Sequence, residues 1–405
     1  MTAETETKSG DAAGPGGVGE VLRVFFRLGC TSFGGPIAHL GYFRAEFVTR
    51  RRWLDETHYA DLVALCQFLP GPASSQVAVS LGIMRAGLAG GVAAWLGFSL
   101  PSAIALIAFA AGIGTIGAMH DAAWLAGLRI VAVAVVAQAV SGMARTLCPD
   151  RPRATLAVVA AILTLAAPGA AGQIGAIALG AAIGWRAFRA PATAPAGELG
   201  IALSRALAVP ALAAFTALLF GLPLLAGESH VLALIAAFYR AGALVFGGGH
   251  VVLPLLQAAV VPPGWVDNDA FLAGYGAAQA VPGPLFTFAA YLGAVMRPAP
   301  QGWRGGVIAL VAIYLPSFLL LIGILPFWDD LRRKITVRAA LAGVNAAVVG
   351  VLLAALYTPV WTSAIHGPRD FALALAAFLA LVFWRVPPWA VVFAGALGAA
   401  ALAVV

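Results

Sequence analysis

Two arginines, Arg27 and Arg240, each stand six residues before a Phe-Gly-Gly tripeptide and within otherwise apolar sequence. A guanidinium donates two parallel hydrogen bonds from a planar fork, which suits a tetrahedral oxyanion, and a charge deep in a membrane is costly and usually functional. The alternative for both is an arginine that snorkels to the interface. The tripeptides are Phe33-Gly34-Gly35, followed by Pro36, and Phe246-Gly247-Gly248, followed by Gly249 and His250. Each is answered downstream by a Pro-Gly-Pro, at Pro70-Gly71-Pro72 and Pro282-Gly283-Pro284. A helix interrupted at such a place restarts with its first N–H groups unpaired and the positive end of its dipole at the break, which makes an anion site. Proline is compatible with the first turn of the new helix, and glycine lets backbone come close to a ligand. Four restarts are expected, near Ile37, Ala73, His250 and Leu285. Each contributes about 0.3–2 kcal/mol for a unit charge, so several must converge to replace the hydration of a dianion. Ser74, Ser75, Gln76 and Thr287 lie just inside the restarts, where they either complete the anion's shell or cap their own helices.

Other polar residues are candidates for coupling or gating. Arg129, whose counterpart in the second half is Asn345, lies one turn into a long apolar segment. Glu46 shares an amphipathic arm with Arg44 and Arg50, which points to an interfacial ion pair, and Asp61 precedes Pro70 where the second half has Ala273. His39 and His250 are candidate proton carriers, since imidazole titrates near physiological pH, although a lone histidine is more often a hydrogen-bonded structural residue. Asp55 and Asp267 each follow a tryptophan by two residues and read as helix caps beside interfacial Trp53 and Trp265. Cys30, Cys66 and Cys148 have no CxxC or metal-ligand spacing and are expected as buried reduced thiols. The apolar zone shows no nucleophile with a base and no H-E-x-x-H, and nothing resembles a phosphate-binding loop. The chain therefore reads as a non-enzyme without a cofactor.

Membrane-spanning elements must position these groups. Hydrophobic residues make up 61% of the chain and charged residues 10%, the balance of an all-α polytopic membrane protein. The net charge of +7 gathers at the ends of apolar segments, as Arg50-Arg51-Arg52, Arg186 with Arg189, and Arg332-Arg333-Lys334. That is an orientation signal, and no nucleic-acid partner is needed to explain it. Spanning runs, which need roughly 20 residues, are expected at 87–116, 122–145, 206–226, 304–327 and 337–357, with shorter hairpins at 155–167/170–188 and 371–383/388–404. The segments around the four breaks are too short to span alone. They read as discontinuous or re-entrant helices, tolerated at membrane depth only where freed backbone lines protein or water; complete spanning hairpins with tight turns are the alternative.

The two halves are copies of one unit. Arg27, Gly29 and Phe33 align with Arg240, Gly242 and Phe246; Trp53, Asp55, Gln67 and Pro70 follow after a one-residue slip onto Trp265, Asp267, Gln279 and Pro282. Gly90-Gly91, Pro101-Ser102 and Gly127 pair with Gly305-Gly306, Pro316-Ser317 and Gly343. The basic loops change sides between copies, since Arg50-Arg51-Arg52 meets Pro262-Pro263-Gly264 and the uncharged turn near Met119 meets Arg332-Arg333-Lys334. By the positive-inside rule the copies insert with opposite polarity, and 206–226, without counterpart, supplies the odd crossing. The expected organisation is a polar cytosolic tail (1–19), a first repeat (20–190), a linker with an extra span (191–228) and an inverted second repeat (229–405). The N-terminus is expected in the cytosol and the C-terminus in the periplasm.

The doubled Phe-Gly-Gly and Pro-Gly-Pro motifs, the arginine upstream of each and Trp53-Leu54-Asp55 together resemble the chromate ion transporter (CHR) family in its two-domain form. The resemblance covers about residues 18–405. It implies efflux of chromate across a bacterial inner membrane, driven by the proton gradient, with sulfate as chemical look-alike. The second copy departs from the first in having Gly249-His250 for Pro36-Ile37, so the two half-sites are inequivalent. Another oxyanion as cargo, a passive anion channel and a homodimer are left open.

Overall fold

The computed structural model describes residues 16–115, 123–188, 204–246, 249–328 and 334–402, and every regular element among them is a helix. Residues 1–15, Met119, Arg189, Gly247, Gly248, Arg332 and Arg333, all of which entered the sequence reading, lie outside the described residues. The first half comprises α1 (Val18–Thr31), α2 (Gly35–Phe43), α3 (Glu56–Phe68), α4 (Ala73–Thr115), α5 (Ala123–Leu147), α6 (Arg151–Ala166) and α7 (Ala170–Ala187). Helix α8 (Arg205–Leu225) stands between the halves. The second half comprises α9 (His230–Ala243), α10 (Val252–Val260), α11 (Asn268–Ala280), α12 (Phe288–Val295), α13 (Gly302–Ile324), α14 (Ile335–Ala355), α15 (Pro368–Val382) and α16 (Pro388–Leu402).

Among the described residues five helices are long and apolar enough to cross a membrane: Ala73–Gly112, Trp124–Leu147, Arg205–Leu225, Gly302–Phe327 and Ile335–Ala364. They correspond to the five expected spans, with one difference. Helix α4 begins at Ala73 and runs through a kink at Ala86 and Gly87, where the backbone leaves helical geometry, so the expected start of a span at Gly87 is the elbow of a longer element. Glycine at φ 63 allows that elbow.

The breaks lie where the glycines and prolines put them. Helix α1 stops at Thr31 and α2 restarts after Gly34 (φ 101) with Pro36 in its first turn; α3 stops at Phe68 and α4 begins at Ala73. In the second half, short 3-10 turns at Gly249–Val251 and Leu285–Thr287 lead into α10 and α12. With 14 residues α1 is about 21 Å long, short of the roughly 30 Å hydrocarbon core. Asp55 and Asp267 cap α3 and α11, accepting from the N–H groups of His58 (2.9 Å) and Ala270 (2.7 Å) as expected.

The halves are interleaved. Helix α5 packs against α15 and α16 of the other half, and α14 packs against α6 and α7. Both contacts depend on small residues that let backbones touch, since lipid supplies no hydrophobic drive between helices. Gly127 on α5 meets the Gly395 carbonyl, and its counterpart Gly343 on α14 meets the carbonyl of Gly180. Likewise Gly29 lies against α4 at Phe98, and Gly242 against α13 at Ile313. Cys66 is buried as expected, but Cys30 is exposed and Cys148 half-exposed. Cys30 lies three residues after Arg27 and shares with it the exposed face of α1, turned away from the contact with α4.

Candidate functional site: a cavity between two helix breaks

The four breaks do not pair within their own halves. The Gly71 N–H donates to the Val245 carbonyl (2.7 Å), and the Gly283 N–H donates to the Ser32 carbonyl (2.9 Å). Thus each Pro-Gly-Pro is bonded to the residue that precedes the other half's Phe-Gly-Gly. Each of these glycines also abuts the serine that follows the proline inside the other half's long span, Gly71 at Ser317 and Gly283 at Ser102.

A cavity of about 20 Å³ opens at one of the two junctions. Gly34, Gly35 and Pro36 line it from the first half, at the N-terminal end of α2; His250, Gln279, Gly283 and Leu285 line it from the second. Pro388, at the start of α16, closes one side, with Trp389 against the Phe33 ring (centroids 6.2 Å apart). A water needs about 10–15 Å³ by the same measure, so in this conformation the cavity is smaller than a tetrahedral oxyanion and must widen to take one.

Its donors are defined by their neighbours. Nδ1 of His250 is 2.7 Å from the hydroxyl of Tyr275, a fully buried residue on α11. With the Tyr275 O–H donating to Nδ1, the ring tautomer that keeps this buried hydroxyl paired presents Nε2–H as a donor. The Nε2 amide of Gln279 is buried without a partner. A buried unsatisfied donor costs about 1–3 kcal/mol, which an anion accepting from it would recover. The first turn of α2 adds a positive dipole end, with a glycine N-cap and no side-chain cap.

A layer of residues holds the breaks at both junctions. Nε2 of His39 donates to the Ser32 carbonyl (3.2 Å) and Nδ1 accepts from Ser74 Oγ (3.3 Å), so one buried ring ties α1, α2 and α4 together. The amide of Gln76 donates to the Pro70 carbonyl (2.8 Å), and the Thr287 hydroxyl to the Pro284 carbonyl (2.7 Å). Ser75 lies 3.5 Å from the Tyr314 hydroxyl beside a second cavity of about 10 Å³, which also borders Ser317. Only the Thr287 hydroxyl bonds locally, to the turn before its helix; those of Ser74 and Ser75 reach residues distant in the chain, and none of the three lines the larger cavity.

The remaining candidates are dispersed. Arg27 is exposed on α1 and Arg240 is half-buried in the last turn of α9; neither lines the cavity. Arg129 is paired with Asp269 at 2.6 Å, joining α5 to α11 across the halves, and Asn345 is half-buried on α14. Glu46 is held by Arg50 (3.0 Å) and Arg51 (2.5 Å), in the arm where an ion pair was expected, and Asp61 is half-buried on α3. Phe246 is half-buried against the main core, Pro70 and Pro72 flank Gly71 between α3 and α4, and Pro282 and Pro284 flank Gly283. Sequence reasoning overlooked Gln279 and Pro388. Gln279 was visible as the partner of Gln67 in the repeat, yet Gln67 is exposed, so the alignment alone does not mark it. No local signal brings the α15–α16 turn to the cavity.

Comparison with known proteins places both halves of the chain in one family. The chromate transporter family profile matches the chain twice, over residues 19–185 and 232–400. A chromate transport protein of Pseudomonas aeruginosa is 32% identical over 351 residues, covering 81% of this chain and 77% of that protein. One of Cupriavidus metallidurans is 24% identical over 373 residues, covering 91% and 88%. An uncharacterized transporter of Bacillus subtilis is 32% identical over 162 residues, 39% of this chain but 80% of that protein, a length near one repeat. No solved structure matches the chain. Two family matches that each contain a Phe-Gly-Gly and a Pro-Gly-Pro, in a multi-pass helical membrane protein, establish that the chain belongs to the chromate transporter family.

Proposed function

We propose that this protein exports chromate from the cytosol of a bacterium across the inner membrane, as a secondary transporter whose two halves are inverted repeats alternating around the cavity between the breaks. Family membership supports chromate transport; direction, coupling and mechanism are this reading's own. The observation that carries it is the reciprocal bonding of the breaks, Gly71 to Val245 and Gly283 to Ser32, with a cavity at the Gly283 junction that the unpartnered amide of Gln279 borders. Because each break is tied to the opposite half, a rocking motion of one half against the other would change both junctions together, which is what alternating access requires. The closed cavity of about 20 Å³ favours a carrier that occludes its cargo over a passive channel.

Export of a dianion is aided by the membrane potential, about 2.3 kcal/mol per charge per 100 mV, so about twice that for chromate. Proton coupling adds to this drive, with His39 and His250 as the imidazoles nearest the junctions. Arg27 and Arg240 are assigned to the anion's path, and sulfate, of the same shape and charge, is the natural competitor. The N-terminus is placed in the cytosol and the C-terminus in the periplasm.

Uptake of labelled chromate and sulfate by inside-out vesicles, with and without an imposed pH difference, tests the proposal. Accumulation against a chromate gradient that collapses when the pH difference is removed is the expected result. Equilibration without accumulation, indifferent to pH, would replace the coupled carrier with a channel.

A further inference from the structure

The last hairpin of each half turns through a residue with left-handed backbone. Counted from Pro152 in the first turn of α6 and from Pro368 in the first turn of α15, Gly169 and Arg385 occupy the same position. Gly169 has φ 102 and Arg385 has φ 55. Glycine adopts such a conformation without strain, whereas the Cβ of any other residue is crowded by its own backbone. The α15–α16 turn nonetheless holds its arginine there, by bonds from the Trp384 N–H to the Leu379 carbonyl (3.2 Å) and from the Val386 N–H to the Ala380 carbonyl (2.9 Å). A strained non-glycine residue that its surroundings over-determine is a sign that the side chain has a use.

Its position suggests which use. Pro388 lines the central cavity and Trp389 rests on Phe33 at the first break, so this turn sits at the cavity's edge. Two residues, Val386 and Pro387, separate Arg385 from Pro388, so their Cα atoms are at most about 10 Å apart. Arg385 is exposed, and among the described residues no carboxylate lies within ion-pair distance of it. The equivalent α6–α7 turn, Ala167-Pro168-Gly169, carries no charge.

We propose that Arg385 recruits the oxyanion, raising its local concentration at the mouth of the cavity without joining the bound state. The inference rests on the cavity being the anion site. A single positive charge about 10 Å from a dianion in water enriches it about three- to fivefold, and salt screens the effect over about 10 Å at 0.1 M.

Initial rates of labelled chromate uptake by inside-out vesicles, at about 10 mM and about 300 mM salt, test it with R385G, R385Q and R385K. R385G and R385Q are expected to raise KM three- to fivefold at low salt with the maximal rate unchanged, and R385K to stay within twofold of wild type. Salt should raise the wild-type KM and leave that of R385G alone. R385G should also melt at a higher temperature than wild type, because glycine relieves the strain, so its loss of affinity cannot come from unfolding. An unchanged KM in R385Q and R385G with transport intact would overturn recruitment alone, as would a lower melting temperature for R385G, which would make the arginine a structural residue. No chromate uptake by wild type would overturn both this inference and the transport reading beneath it.

Discussion

The N–H of Gly71 is bonded to the carbonyl of Val245 at 2.7 Å, which fastens the Pro-Gly-Pro of the first half to the end of α9 in the second. The mirror bond, from Gly283 to Ser32 at 2.9 Å, fastens the second half to the first. The two junctions are not equal. Ser32 is also held by His39, which is tied to Ser74, whereas the second half has Val252 and Phe286 in place of that histidine and serine. The Ser32 carbonyl is therefore held from two sides, whereas no side chain among the described residues is seen to bond the Val245 carbonyl.

Both glycines are required by backbone and by space. Gly71 has φ 122 and Gly283 φ 101, and a Cβ at Gly283 would lie 2.9 Å from Ser102 Oγ, with Gly71 more crowded still by Ser317. Gly71→Ala and Gly283→Ala should each destabilise by about 1–3 kcal/mol, read as a lower melting temperature in detergent. Adding Ser317→Ala to Gly71→Ala should restore part of the loss, because the two residues touch. An alanine variant as stable as wild type would refute the crowding.

Gln279 is expected to contribute affinity, since its buried amide has no other partner. Gln279→Leu removes one hydrogen bond to a charged ligand, about 1.5–3 kcal/mol, and should weaken chromate affinity about ten- to a hundredfold with little change in stability. Gln67→Leu, at the exposed counterpart, should leave affinity near wild type. Equal effects of the two changes would contradict the placement of the site.

Arg27 and Arg240 line neither of the two cavities described, so their proposed place on the anion's path is open to a direct check. Arg27→Gln and Arg240→Gln, in protein that still reaches the membrane, should abolish chromate-dependent growth protection. Unchanged resistance in both would reject the role and leave snorkelling as the explanation.

Inversion of the halves predicts opposite sides for equivalent loops. Accessibility tags after Arg52 and after Pro263 should be labelled from opposite faces of the membrane. Labelling of both from one face would refute the inverted arrangement.

Much of this architecture is legible without coordinates. The spans, the breaks and the caps at Asp55 and Asp267 follow from short-range chemistry: the length of an apolar run, a glycine that tolerates left-handed backbone, a carboxylate that accepts from its own helix. The pairing of Gly127 with Gly343 is visible as a repeat, but its meaning is not. These glycines do not meet each other; each meets the other half's last hairpin, at Gly395 and Gly180. Gln279 and Gln67 likewise align in sequence but differ in environment, because α11 ends at the cavity.

By itself, then, the amino-acid order determined a doubled helical membrane unit interrupted at four predictable points, because run length and glycine or proline chemistry act over a few residues. Only the tertiary structure decided that each interruption is bonded to the opposite half, that His250 and Gln279 share one small cavity while Arg27 stands outside it, and that the α15–α16 turn reaches its edge. Those contacts join residues far apart in the chain. They arise from small residues that let whole helices meet at the backbone, a geometry that no local pattern encodes.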